Sequence, residues 1–198
     1  MVSLQELIEE PEDSFADDPE ERLTVSGVSW KSFDRLLAKL DEILEIVSPS
    51  EKHETVKSRI GFLLEFYFCI KGIKHTPMGS TTVKNRLKKA GAEPDECYCI
   101  GEKKDIPDLA IEVTITSGSI KKLETYRRLG VKEVWFWKNN QFSLYYLREE
   151  IPKNFADTYG YEKIQSSILV PELNIDFYSE CILIPDQVEA WTRFQQGI

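Results

Sequence analysis

The ten residues "PDLAIEVTIT" (107–116) constrain this chain more than any other stretch. Apolar, mostly branched residues alternating with small or polar ones are the signature of a strand, and a strand commits the chain to a sheet. Alternation puts Leu109, Ile111, Val113 and Ile115 on one face, and Asp108, Ala110, Glu112, Thr114 and Thr116 on the other. The apolar face predicts a core contact. On the mixed face Glu112 need not be buried in the apolar core and is free to line a cleft.

A shorter run, "ECYCI" (96–100), reads as a second strand just upstream. If the two pair antiparallel about a turn at Lys103 and Lys104, residues whose numbers sum to 207 face each other, and Asp95 lands opposite Glu112. Directly opposed Cβ atoms lie about 4.5–5.5 Å apart. That is close enough for two carboxylates to share one hard cation. The expectation stands on that register, because a shift of two residues pairs Glu112 elsewhere. Asp108 shares the face of Glu112 but lies roughly 13 Å away along the strand, too far to share the same ion.

Carboxylates on neighbouring strands suit divalent-metal phosphodiester chemistry, in which the ion neutralises the scissile phosphate and activates water. That chemistry also calls for a cation beside the phosphate or the attacking water. Two residues after Glu112, on the same face, stands Thr114, so no lysine is present there. Lys121 and Lys122 open the next helical segment and are placed to reach back over the strand end. Lys122 shares a helix face with Tyr126 four residues on, which gives it packing to orient it. Against this reading, Pro-Asp is a common turn element, and Glu112 and Lys122 can each be surface groups.

The rest of the chain alternates helix and strand signals. "SWKSFDRLLAKL" has helical spacing through Trp30, Phe33, Leu36, Leu37 and Leu40. "EILEIV" is either the end of that helix or a short strand. "SPSEKHETVKSRIGFLLEFYFCIKG" predicts a long helix with Ser50 as N-cap and a glycine stop. "GSTTVK" is a short strand candidate, and "SIKKLETYRRLG" is a helix ended by Gly130. "EVWFWKNNQFSLYYLR" predicts a hairpin turning at Asn139 and Asn140, and "IPDQVEAWTRF" a final amphipathic helix. Trp135, Trp137, Tyr145 and Tyr146 invite a base-stacking role, but hairpin core or dimer contact is favoured. The order of elements predicts an α/β domain around one mixed sheet.

Composition bounds the remaining choices. With 198 residues the chain has room for one domain, expected over 25–198, preceded by an acidic flexible arm over 1–24. The net charge of −9 argues against a nucleic-acid partner. Its distribution changes that inference: residues 1–21 hold nine acids and no Lys or Arg, and removing them from 34 acids and 25 bases leaves 25 against 25. Basic clusters then stand out at Lys84, Arg86, Lys88 and Lys89, and at Lys121, Lys122, Arg127 and Arg128. No basic, apolar leader opens the sequence and no apolar run reaches membrane-spanning length, so a cytoplasmic protein with no membrane partner is expected. Cys69, Cys97, Cys99 and Cys181 show no zinc or disulfide spacing and read as small buried apolar residues.

Four motifs, "SPSEKHE", "GAEPDECYCIG", "PDLAIEVTITS" and "KLETYRRLGVKEVWFW", together resemble a bacterial restriction-endonuclease-like family of unassigned biological role within the PD-(D/E)XK nuclease superfamily. The resemblance runs from about Val25 to the last helix. It implies a restriction-endonuclease-like core, a mixed central sheet flanked by helices, with metal-dependent hydrolysis of DNA supported by Mg²⁺ or Mn²⁺. It suggests Asp95 and Glu112 as metal-binding acids and Lys122 as the catalytic lysine moved from strand to helix. Asp108 would support the site through water or by shaping the turn, and Glu65 would be an outer acid on the long helix. His53 matches the family pattern but reads as a local hydrogen-bonding residue. Lys84, Arg86 and Lys121 are candidate nucleic-acid contacts, and a homodimer is expected by analogy with two-strand cleavage. Thr114 departs from the D/E-x-K pattern. That departure, the low pI and the aromatic hairpin support the alternative of a catalytically inactive scaffold on the same fold.

Overall fold

A computed structural model of the chain describes residues 51–85, 90–113, 120–150 and 152–198. The acidic arm, the N-terminal helix through Leu40, the Ser50 cap, Arg86, Lys88, Lys89 and Thr114 lie outside these residues.

Helix α1 (Glu51–Ile70) buries Ile60, Leu63, Leu64, Tyr67 and Phe68, the spacing of one helical stripe. Each such side chain contributes about 1.5–3 kcal/mol on burial. Glu51 and Glu54 favour its N-terminus. At its end the Ile73 amide reaches back to the Phe68 carbonyl, with Gly72 at φ +63°, a left-handed closure that glycine adopts without strain.

The strands that follow are β1 (His75–Pro77), β2 (Val83–Asn85), β3 (Ala90–Ala92), β4 (Glu96–Ile100) and β5 (Leu109–Val113). Helix α2 (Lys122–Leu129) then leads to β6 (Glu133–Lys138), β7 (Gln141–Leu147), a 3₁₀ segment (Pro152–Thr158) and β8 (Tyr161–Ile164). Helices α3 (Ile175–Ile182) and α4 (Gln187–Gln196) close the fold. Six strands form one mixed sheet in the order β1-β4-β5-β6-β7-β8, and β2 and β3 form a separate pair. Only β5 and β6 run parallel within the six-stranded sheet, as expected where a helix carries the chain from one strand to the next.

The β4–β5 pairing is Glu96 with Ile111, Cys97 with Ala110 and Tyr98 with Leu109, the register expected from a turn centred at 103 and 104. The β6–β7 hairpin turns through Asn139 (φ 52°) and Asn140 (φ 64°), both left-handed as a two-residue type I′ turn requires. Helix α2 ends where expected, with Gly130 at φ 90° donating to Tyr126 and Arg127 carbonyls.

One expectation is corrected. Every residue of β5 is buried, so both of its faces are covered. Leu109, Ile111 and Val113 pack with α1, α3 and α4, together with Tyr98, Trp135 and Trp137. Ala110 packs on the other side with Leu123, Tyr126 and Leu129 of α2 and with Tyr145. A strand beside a parallel neighbour is roofed by its crossover helix, which a single strand sequence does not show. Trp135, Trp137 and Tyr145 are therefore core residues. Cys97, Cys99 and Cys181 are buried as expected, but Cys69 is exposed.

Arg59, buried on α1, ties the layers together. Its guanidinium donates to the carbonyls of Ile182, Ile184 and Pro185 and to Gln187 Oε1. It thereby satisfies carbonyls that the end of α3 leaves unpaired. Helices α3 and α4 begin at Asn174 and Asp186, whose side chains accept from the amides of Phe177 and Glu189. No helix among the described residues is long and apolar enough to cross a membrane.

Candidate active site

Asp95 follows Pro94 immediately before β4. One step beyond the last β4–β5 pair in the observed register, it stands opposite Glu112. Its Oδ2 accepts from the Val113 amide at 2.7 Å, fixing the side chain against the end of β5. Glu112 lies in β5 on the face roofed by α2 and is only 4% exposed. Its carboxylate is in a polar cluster all the same: Tyr126 Oη donates to Oε1 at 2.5 Å, and Lys122 Nζ to Oε2 at 3.2 Å. Both donors come from one face of α2, four residues apart.

Burial pushes the Glu112 carboxyl above its usual range, and the Asp95 charge adds to that; Lys122 and the Tyr126 hydroxyl oppose it. Tyr126 is raised well above an ordinary tyrosine, first by burial and then by the Glu112 charge. It therefore remains a protonated donor to Glu112. This is an acid pair across two strands with one lysine on its deeper member.

His53, in the first turn of α1, approaches from the side. Its Nε2 lies 3.4 Å from Asp95 Oδ1 and its Nδ1 3.1 Å from Glu54 Oε1. The local bond to Glu54 is the role expected from sequence. The contact with Asp95 brings "SPSEKHE" and "AEPDE" together, a proximity that no local pattern encodes. The closest sequence signal was the shared membership of both stretches in the family-like motifs.

The other candidates lie elsewhere. Asp108, at the opposite end of β5, accepts from the Ile100 amide at 2.8 Å, from Lys104, and from Lys132 at 3.3 Å. Burial raises its carboxyl, but these donors outweigh it and hold it below the usual range. It shapes the turn and is not brought to Glu112. Glu65 is half-buried on α1 beside Glu96, whose side chain alternates with Asp95 onto the opposite face of the sheet from Glu112. Glu96 packs under Gly61, where an added Cβ would meet its carboxyl carbon at 3.3 Å. Burial first, then the charges of Glu65, Asp95 and Glu54 against that of Lys57, push Glu96 up to about 7. Lys84 and Lys121 are exposed, on the side of the sheet that carries β2, β3 and α2.

Among the described residues no group of three or more His, Cys, Asp or Glu is arranged to enclose a metal ion. Two acids are enough for Mg²⁺ or Mn²⁺, which are commonly held by one or two carboxylates with water and substrate phosphate completing the shell. The donor set fits such an ion.

A family model described as "Uma2: Putative restriction endonuclease" matches residues 34–176, more than half of the 198-residue chain. No curated protein matches the sequence.

Proposed function

The chain belongs to the Uma2 family of restriction-endonuclease-like proteins, and on that premise we propose that it is a metal-dependent endonuclease cutting DNA, with its centre at Asp95, Glu112 and Lys122. The observation that carries this reading is the pairing of carboxylates across β4 and β5 with a lysine bonded to one of them. Asp95 and Glu112 would hold Mg²⁺ or Mn²⁺, and the bound ion would supply charge neutralisation at the phosphate and an activated water. Lys122, partly exposed at the start of α2, contacts the scissile phosphate or the water as a point charge. It serves in place of the strand lysine that the D/E-x-K pattern puts at Thr114.

Lys84, Lys121, Arg127 and Arg128 are exposed on the side of the sheet that holds Lys122 and contact the DNA backbone. The acidic total of the chain does not oppose this, since its excess lies in residues 1–21. Asp108 serves the fold, and Glu65 tunes Glu96 rather than the ion.

The test is Mn²⁺ titration by calorimetry, followed by nicking of supercoiled plasmid, with wild type, Asp95→Ala and Glu112→Gln. Saturable binding and nicking that both variants lose are expected. Binding and cleavage retained by both variants would sink the site assignment. No binding and no cleavage by wild type would favour the inactive scaffold.

A further inference from the structure

Each acid of the Asp95–Glu112 pair has its two oxygens held differently. One oxygen meets a donor with no freedom to leave. For Asp95 it is the Val113 amide within β5, and for Glu112 the hydroxyl of Tyr126, whose ring is 1% exposed in the α2 core. The other oxygen meets a helix-borne nitrogen base: His53 for Asp95 Oδ1 and Lys122 for Glu112 Oε2. The Lys122 side chain is 31% exposed, on a flexible stem, whereas the Glu112 side chain is 6% exposed. One partner can swing out and the other cannot.

Resting on the metal-dependent reading above, we propose that Tyr126 is a positioning residue for Glu112 and that Lys122 occupies the place of the divalent cation on Glu112 Oε2 until the ion displaces it. An ammonium and a divalent ion cannot share one carboxylate oxygen without strong like-charge repulsion. Before the ion arrives, Lys122 compensates a carboxylate that would otherwise be a buried, unpaired charge. With an ion bound that compensation would be redundant, and the same repulsion would turn the Lys122 ammonium outward on its flexible stem. Tyr126 stays. Its bond to Oε1 keeps Oε2 directed at the place Lys122 holds in both states, so the carboxylate does not rotate when its partner changes.

The two residues therefore act on ion affinity with opposite sign. Mn²⁺ is titrated by calorimetry into the full-length wild type, Lys122→Met and Tyr126→Phe, with thermal unfolding of each as a folding control. Lys122→Met keeps the aliphatic stem and removes the competing charge, so it binds Mn²⁺ on the order of tenfold more tightly. Tyr126→Phe keeps the ring and removes the fixed donor, so it binds on the order of tenfold more weakly. A merely structural role for both residues would not separate them in this way. Binding by Lys122→Met equal to or weaker than wild type overturns the displacement while leaving the metal reading intact. Tyr126→Phe at wild-type affinity overturns the positioning role. No Mn²⁺ binding by any of the three overturns the metal reading and this proposal together.

Discussion

The two ends of β5 carry buried carboxylates of opposite character. Asp108 at the start is surrounded by two lysines and a backbone amide and is held below the usual carboxyl range. Glu112 near the end has one lysine, a tyrosine hydroxyl and a second acid close by, and is held above it. Both are 4% exposed, so burial does not separate them. What separates them is the balance of donors against like charge. An over-compensated acid holds a loop in place, whereas the under-compensated one is, on the metal-dependent reading proposed above, the acid that would take up the cation.

The largest effect that would break this contrast is on catalysis. Glu112→Gln is expected to lower plasmid nicking by at least about 10²-fold, in line with loss of a group stabilising charge at the reacting phosphate. Asp108→Asn is expected to leave nicking per folded molecule unchanged. Equal losses in both would mean that the ends of β5 are not functionally distinct.

Stability should reverse the ranking. Asp108→Asn is expected to lower unfolding free energy by about 2–3 kcal/mol, because the buried negative charge and one of its two acceptor oxygens are lost while Lys104 and Lys132, both partly exposed, regain some hydration. Glu112→Gln, measured by the same denaturant titration, is expected to be neutral or stabilising by about 1 kcal/mol, as replacing strained active-site charges often is. A large destabilisation by Glu112→Gln would make that end structural as well.

The smallest effect is on pH. Asp108, lowered in the folded state, contributes stability that is present above the ordinary aspartate range and lost as pH falls below that range through the lowered folded value. Glu96 acts the other way. Its folded value of about 7 exceeds its ordinary 4.5, so the folded state binds the extra proton, and stability declines as pH rises from about 4.5 through about 7. Glu96→Gln is therefore expected to flatten thermal stability between pH 5 and pH 7 in metal-free buffer. An unchanged slope would show that Glu96 ionises normally, in spite of its acidic neighbours.

The framework that carries this contrast was legible in the chain, because it depends on short-range periodicity. The alternation of "LAIEV" is carried by the chain, and once a turn centred at 103 and 104 is assumed the observed pairing follows, since antiparallel register follows from the turn. The four-residue spacing of Lys122 and Tyr126 put both on one helix face, and both reach Glu112. The Asn139–Asn140 turn and the Gly130 stop follow from backbone φ preferences that residue type carries.

Other features were not legible. The burial of Glu112 depends on α2 roofing β5, and the depth of that roof belongs to the packing of a separate element. The placement of Glu65 by Glu96 depends on the rotation of α1 about its axis, which is set by Ile60, Leu63 and Tyr67 seating on the sheet. Glu133 sits unmarked in "VKEVWFW", yet it is fully buried and accepts from Trp135 Nε1 and the amides of Ile168 and Leu169. Trp135 is a neighbour on the same strand, but the two amides arrive from a loop distant in the chain.

Residue order alone was enough to indicate the long helix α1, strands β4 and β5, helix α2, the β6–β7 hairpin and the last helix, and to offer the β4–β5 register that sets Asp95 opposite Glu112, because each rests on interactions between near neighbours. Strands β1, β3 and β8 and helix α3 carry no comparable local signal. Folding in three dimensions decided which acids are compensated and which are poised. It set His53 beside Asp95, covered Glu112 with Tyr126 and Lys122, and gave Asp108 two lysines. The reason is physical: a carboxyl group's charge depends on its solvation and on every charge within a few ångströms, and those are properties of the packed molecule.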